Sequence, residues 1–281
     1  MRCDWKSFLN ILPLWMREAV DQQGRDNLLD LRLRLGTPPE MVMTNGLLRM
    51  QRIVTKDDLM FSINTASQYS PWAASTIGKG YVTASGGHRV GICGRATVME
   101  QGMIGIRAPT SICIRVARDI PGIASKLVGC NGSILIIGKP GNGKTTLLRD
   151  LIRQKSNAGN TISVVDEKAE VFPLHDSEFC FPIGEKTDVM TGCSKLDGIY
   201  AVLRNMGPSI IAVDEITKKE DCDALMHCAW CGVALYATAH AADMKDLLSR
   251  GLYRPILDSK LFNTIVIVHS DKSWHMERMN Q

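Results

Sequence analysis

The rhythm of apolar positions changes near the middle of the chain, and that change divides the predicted architecture. From Ile134 onward, short apolar runs (Ile134–Ile137, Thr161–Val165, Ile210–Val213, Val233–Ala237, Thr264–Val268) alternate with stretches of helical period (Lys144–Asn157, Lys195–Asn205, Lys219–Trp230). Uninterrupted apolar runs read as strands buried on both faces, and their alternation with helices predicts a parallel sheet covered on both sides. Trp274–Arg278 reads as an added edge strand. Before Ile134 the pattern is mixed. Asp4–Gln22 carries Phe8, Leu9, Ile11, Leu12, Trp15, Met16 and Val20 at helical spacing, with Pro13 predicting a break. Leu29–Leu35 alternates strictly between apolar and charged, the mark of a half-buried strand, and Gly36-Thr37-Pro38-Pro39 stops it. A helix is predicted over Lys56–Thr65 after Thr55, a glycine-bearing hairpin over Gly80–Thr83 and Gly86–Val98, and a strand over Ser111–Val116. Pro121-Gly122 marks the hinge. The expectation is therefore a smaller α+β domain over 1–122 and an α/β core domain over 123–281.

Between the first core strand and the first core helix lies Gly138-Lys139-Pro140-Gly141-Asn142-Gly143-Lys144-Thr145-Thr146. This is the phosphate-loop pattern G-x-x-x-x-G-K-[ST] in the strand-then-helix context it requires. Glycines let the backbone curl and present N–H groups to a polyphosphate, and the following helix aims its positive end at the same anion. Lys144 would reach the β- and γ-phosphates and Thr145 would offer its hydroxyl to Mg²⁺. The implied ligands are ATP and Mg²⁺.

In open α/β sheets, ligands bind outside the carboxyl ends of the strands. There Asp214 closes the run Ile210–Val213 as a Walker B aspartate that would hold Mg²⁺ through its water shell. Glu215 follows it and can polarise an attacking water, which separates a hydrolase from a passive binder. Asp166, Glu167 and Glu170 end the second core strand and either position water or metal or cap the next segment. His240, after Thr238-Ala239, is placed to contact the γ-phosphate or the water. Arg89, Arg95, Arg107 and Arg115 all lie in the first half, as candidates for a transition-state finger set against ordinary surface ion pairs.

Bulk composition narrows the partners. The chain has 281 residues, 45% hydrophobic and 22% charged, with a net charge of +4 that is too mild to require nucleic acid. No apolar stretch reaches bilayer-spanning length and no cleavable-signal pattern opens the chain, so a cytosolic protein with at most peripheral membrane association is expected. The nine cysteines are expected as free thiols. Cys228 and Cys231 have metal-like spacing near Cys222 and His227, but no second Cys-x-x-Cys completes a zinc site, and a helical face explains the spacing. The Asp4–Gln22 face suits a core contact better than a membrane surface.

The combination of motifs resembles the stage III sporulation protein AA family. Leu31–Gly36, Gly86–Gly91 and Ser111–Arg118 carry the likeness in the first half. Gly138–Asp150, Val164–Glu167, Thr187–Val189, Leu203–Met206, Ile211–Ile216 and Ala237–Ala241 carry it in the second. Departures are Lys168-Ala169-Glu170 in place of Arg-Ser-Glu, and Thr217 in place of glycine; Lys168 lacks the bidentate fork of arginine. That family is similar to the ATPases of type II and type IV secretion systems and type IV pili. The resemblance implies a RecA-type P-loop core behind an N-terminal domain, assembled as a hexameric ring. It further implies a motor at the inner face of the mother-cell membrane, working with the channel proteins of the sporulation stage III complex. A nucleic-acid translocase on the same fold is the alternative, disfavoured by 6% aromatic content; a small-molecule kinase lacks a lid signal.

Overall fold

The computed structural model describes residues 1–68, 80–99 and 102–279. It divides into two units, Met1–Arg118 with Pro173–Cys180, and Asp119–Phe172 with Phe181–Gln281.

In the first unit, α1 (Trp5–Ile11) and α2 (Leu14–Asp21) flank the predicted break at Pro13, and Phe8, Leu12, Met16 and Val20 are all fully buried. They pack in one cluster with Leu31 and Leu33 of β1 (Leu28–Arg34). A hairpin that the apolar pattern did not predict follows, β2 (Glu40–Met43) and β3 (Gly46–Arg49). Helix α3 (Lys56–Ala66) starts at a capping box: the Thr55 hydroxyl accepts from the Asp58 N–H at 3.2 Å, and the Asp58 carboxylate accepts from the Thr55 N–H at 2.8 Å. Strand β4 (Tyr81–Thr83) pairs with β5 (Arg89–Met99), as the predicted hairpin requires. The next strand, β6 (Gly102–Arg115), is far longer than the expected Ser111–Val116, because its first half pairs with β5 alone. The sheet order is β3-β2-β1-β6-β5-β4.

The second unit is built on β7 (Ile134–Gly138), α4 (Lys144–Asn157), β8 (Ile162–Asp166), β11 (Thr187–Thr191), α5 (Lys195–Asn205), β12 (Ile210–Val213), α6 (Lys219–Trp230) and β13 (Ala234–Ala239). It continues through the short helices α7 (Met244–Ser249) and α8 (Arg254–Asp258) to β14 (Thr264–Val268) and β15 (Trp274–Arg278). The two-residue strands β9 (Leu174–His175) and β10 (Glu178–Phe179) form a hairpin inserted here but belonging to the first unit. The strand order is β11-β8-β12-β13-β7-β14-β15, parallel except for β15. Alternate residues of each run feed opposite faces. Leu135, Ile137, Ile211, Val213, Leu235 and Ala237 pack with α5, α6 and α8, whereas Ile134, Ile136, Ile162, Val164 and Tyr236 pack with α4. Each fully buried aliphatic contributes about 1.5–3 kcal/mol, so these strands have no freedom to slip register. Strand β13 runs two residues past the expected Ala237, which brings Thr238 and Ala239 into the sheet. Among the described residues no helix is long and apolar enough to cross a membrane.

Candidate functional site

The phosphate loop leaves β7 at Gly138, where a Cβ would come within 2.8 Å of the Val268 carbonyl oxygen of β14. Gly141 and Gly143 hold φ of +78° and +102°, conformations that favour glycine. Pro140 lies in the turn between them and Gly138, and Thr146 sits in the first turn of α4. The leading N–H groups of α4 have no intrahelical acceptor and face the loop together with the positive end of the helix. The loop is gripped from β14 and the turn after it. The Asn142 amide donates to the Val268 carbonyl at 2.9 Å, and the Lys272 ammonium donates to the Gly141 carbonyl.

Lys144 spans the loop, donating to the carbonyls of Gly138 (2.9 Å) and Lys139 (3.2 Å), and lies 2.9 Å from His240 Nδ1. Burial holds its ammonium below the ordinary lysine range, with the charges of Asp214 and Glu215 opposing the shift. His240 Nε2 is in turn 2.9 Å from Glu215 Oε1. An imidazole accepting at Nδ1 and donating from Nε2 satisfies both contacts, so His240 links the loop lysine to the Walker B glutamate.

The Walker B end is locked by a residue to which sequence reasoning gave no role. The Thr238 hydroxyl donates to Asp214 Oδ1 at 2.6 Å and accepts from the Glu215 N–H at 2.8 Å. The other oxygen of Asp214 accepts from the Thr145 hydroxyl at 3.0 Å. Glu215 has φ of +52°, a left-handed conformation costing about 1–2 kcal/mol outside glycine. That backbone is sustained by Thr238 and by the Ile216 N–H donating to the Thr238 carbonyl at 2.8 Å. The only signal for Thr238 in the sequence is a hydroxyl residue closing an apolar strand. Thr238→Val keeps the shape and strands two polar partners. It is expected to lower stability by about 1–3 kcal/mol, with Thr238→Ser close to wild type; unfolding curves of the three proteins check this.

Asp166, at the end of β8, is 1% exposed and accepts from three backbone N–H groups: Glu170 at 2.8 Å, Val171 at 2.9 Å and Phe172 at 2.9 Å. Its carboxylate thereby forms the turn after β8. Burial pushes it up to about 7, against the pull of the Phe172 N–H and with the Asp214 charge adding to the rise. Arg149 of α4 clasps the same turn, donating to the carbonyls of Val171 and of Glu170 (2.9 Å) while its guanidinium lies 4.4 Å over Phe181. Glu167 is desolvated, yet the Lys195 ammonium at 2.9 Å holds it below the usual carboxylate range. Asp166, Glu167, Glu170, Asp214 and Glu215 line one cleft with Lys168 and Lys195.

The loop, Lys144, Thr145, Asp214, Glu215 and His240 are thus brought together at the carboxyl ends of β7, β12 and β13. The four arginines belong to the first unit. Arg89 lies 4.1 Å over Tyr81, Arg115 is 3.3 Å from Asp30, and Arg95 and Arg107 face each other across the β5–β6 pair.

A parallel sheet with this loop after an inner strand, and an aspartate closing a strand two places away, defines a RecA-type P-loop NTPase fold. Solved structures share it, among them these two. The Legionella pneumophila ATPase DotB superposes with a TM-score of 0.61 at 18% identity over 95% of this chain and 80% of that one. The pilus retraction motor PilT with bound ADP gives 0.58 at 14% identity over 94% and 83%. The chain belongs to the stage III sporulation protein AA family: the family model described as "Sporulation stage III, protein AA" matches residues 5–276. Stage III sporulation protein AA of Bacillus subtilis (strain 168) is 32% identical over 273 residues, covering 90% of this chain and 87% of that protein.

Proposed function

We propose that this chain is a Mg²⁺-dependent ATPase that drives a secretion-like channel during endospore formation. The observation that carries the reading is the continuous set of contacts Thr145–Asp214–Thr238–Glu215–His240–Lys144, which joins the phosphate loop to a carboxylate positioned for general-base work. The site suits the ligands. The loop offers backbone N–H groups and an ammonium to phosphate oxygens, and the Thr145–Asp214 pair is the sparse oxygen set that Mg²⁺ accepts while keeping most of its water. When bound, the metal neutralises charge on the β- and γ-phosphate oxygens.

Lys144 exchanges its contacts with the Gly138 and Lys139 carbonyls and His240 for the β- and γ-phosphates. Glu215, released from its tie through His240 to the lysine, orients the attacking water and takes its proton. Asp214 and Thr145 hold the metal side, and Asp166 and Glu167 shape the acidic cleft around it. His240 reports the presence of the γ-phosphate, because it contacts both groups that the phosphate rearranges. One or two of Arg89, Arg95, Arg107 and Arg115 supply the remaining positive charge.

The motor is a hexameric ring at the cytoplasmic face of the mother-cell membrane, attached through the channel proteins of the stage III complex. Light scattering on Glu215→Gln with Mg·ATP is expected to give a mass near six protomers of 31.0 kDa. A strict monomer in this variant, and in a wild type that hydrolyses ATP at full rate, would remove the ring.

A further inference from the structure

Beyond Gly94 and Pro109, β5 and β6 leave the six-stranded sheet and pair only with each other. The exit is a built kink. The register shifts on both sides of Gly94, and Ala108 holds φ of +47°. A Cβ on Gly94 would meet the Ala108 carbonyl oxygen at 2.7 Å. A two-stranded ribbon with water on both sides is marginal by itself.

The far end of this ribbon is apolar on both faces. Val98 and Met99 are neighbours on β5, so their side chains point to opposite sides, and they are 68% and 63% exposed. Met103, paired directly with Val98, and Ile104 beside it are exposed as well. Closer to the sheet, Arg95 and Arg107 stand directly opposite each other across the ribbon. Both are exposed, and neither forms an ion pair among the described residues. Like charges in opposed positions repel, and an anion between them removes that cost. The described strand residues from Gly94 to Pro109 carry no acidic side chain; Glu100 and Gln101 lie outside the described residues. At about 3.3 Å per residue, the three residues from Arg95 to Val98 set the guanidinium groups about 10 Å behind the apolar end. Amphipathic elements enter the boundary between lipid headgroups and acyl chains to about the same depth, roughly 5–10 Å.

We infer that the end of this ribbon inserts into the surface of an anionic phospholipid bilayer. Val98, Met99, Met103 and Ile104 enter the acyl chains, and Arg95 and Arg107 bind lipid phosphates through their planar forks. A protein docked on one face of the ribbon leaves the other face wet, whereas an apolar medium covers both. The contact goes beyond the ATPase reading and does not depend on it. It adds a direct lipid contact to the attachment through channel proteins, and it leaves Arg89 and Arg115 to the nucleotide.

Vesicle co-sedimentation tests this, with phosphatidylglycerol-containing vesicles set against pure phosphatidylcholine. The variants are Val98→Ser with Met99→Ser, Val98→Leu with Met99→Leu, and Arg95→Gln with Arg107→Gln. Wild type is expected to bind the anionic vesicles about ten-fold or more tightly than the neutral ones. The serine pair is expected to lose about 10- to 100-fold on anionic vesicles, the range that removing two inserted apolar side chains gives. The leucine pair keeps the apolar surface and is expected within a few-fold of wild type. The glutamine pair is expected to lose about 10- to 30-fold on anionic vesicles and to depend less on salt. It stands as a second test if circular dichroism shows the serine pair misfolded. Unchanged binding in the serine or glutamine pair, or equal wild-type binding to both vesicles, would overturn the lipid contact. Wild-type binding to neither vesicle would overturn it too and give the ribbon to a protein partner.

Discussion

Glu215→Gln is expected to lower ATP turnover by about 10²- to 10⁴-fold while nucleotide affinity stays within a few-fold of wild type. The amide is isosteric with the carboxylate and still accepts from His240 Nε2, which lies 2.9 Å from Glu215 in the wild type. It cannot take a proton from water, so the loss falls on the chemical step. Glu215 holds its left-handed backbone through the Thr238 hydroxyl, and that contact survives the substitution because it involves the main-chain N–H. Steady-state phosphate release together with calorimetric titration separates the two effects. Normal turnover would remove Glu215 as the base; lost binding would show that the variant disturbs the loop through His240.

Lys144→Ala should act on the other term and weaken Mg·ATP binding by about 10²-fold or more. Hydrogen bonds from an ammonium to charged acceptors are each worth about 1.5–3 kcal/mol, and this lysine would serve both the β- and γ-phosphates. The side chain is 6% exposed and already desolvated, so the free protein has met much of the cost of burying the charge before any ligand arrives. Its three contacts there go to the Gly138 and Lys139 carbonyls and His240, at 2.9, 3.2 and 2.9 Å. Lys144→Arg is not expected to restore affinity, because a planar guanidinium does not fit the space a compact ammonium fills between two carbonyls. Calorimetry on the three proteins, with circular dichroism to confirm folding, decides it. Wild-type affinity in Lys144→Ala would detach the lysine from the phosphates.

The elements that the sequence predicts best are those whose side chains are buried on both faces. The runs Ile134–Ile137, Ile210–Val213 and Thr264–Val268 contain little but aliphatic residues, and the structure shows them as the inner strands β7, β12 and β14. Among those that escape are the edge strands β11 and β3. Strand β11 (Thr187–Thr191) pairs on one side only and mixes Thr187, Asp188 and Met190, so no apolar run announces it. Strand β3 exposes Leu47 and Leu48, which removes the alternation that burial would impose, although Asn45-Gly46 is a hairpin signal. The first half of β6 is a two-stranded ribbon with β5, and Gly102, Gly105 and Pro109 obscure its strand character.

The site divides in the same way. Lys144, Thr145, Asp214 and Glu215 stand at motif spacings set by local backbone geometry, and they are legible without a fold. Thr238 and Lys272 act through contacts across 24 and 131 residues, and only sheet order and loop position bring them to the site. Asp166 is legible as an acidic strand end, but its three backbone partners, and with them its turn-forming part, are visible only in three dimensions.

The most direct test is phosphate release by the purified protein with ATP, with and without Mg²⁺, beside Lys144→Ala and Glu215→Gln. Mg²⁺-dependent release is expected from wild type, none above background from either variant, and of the two variants only Glu215→Gln is expected to retain Mg·ATP binding. Release that is independent of Mg²⁺, or that persists in both variants, would contradict the ATPase reading.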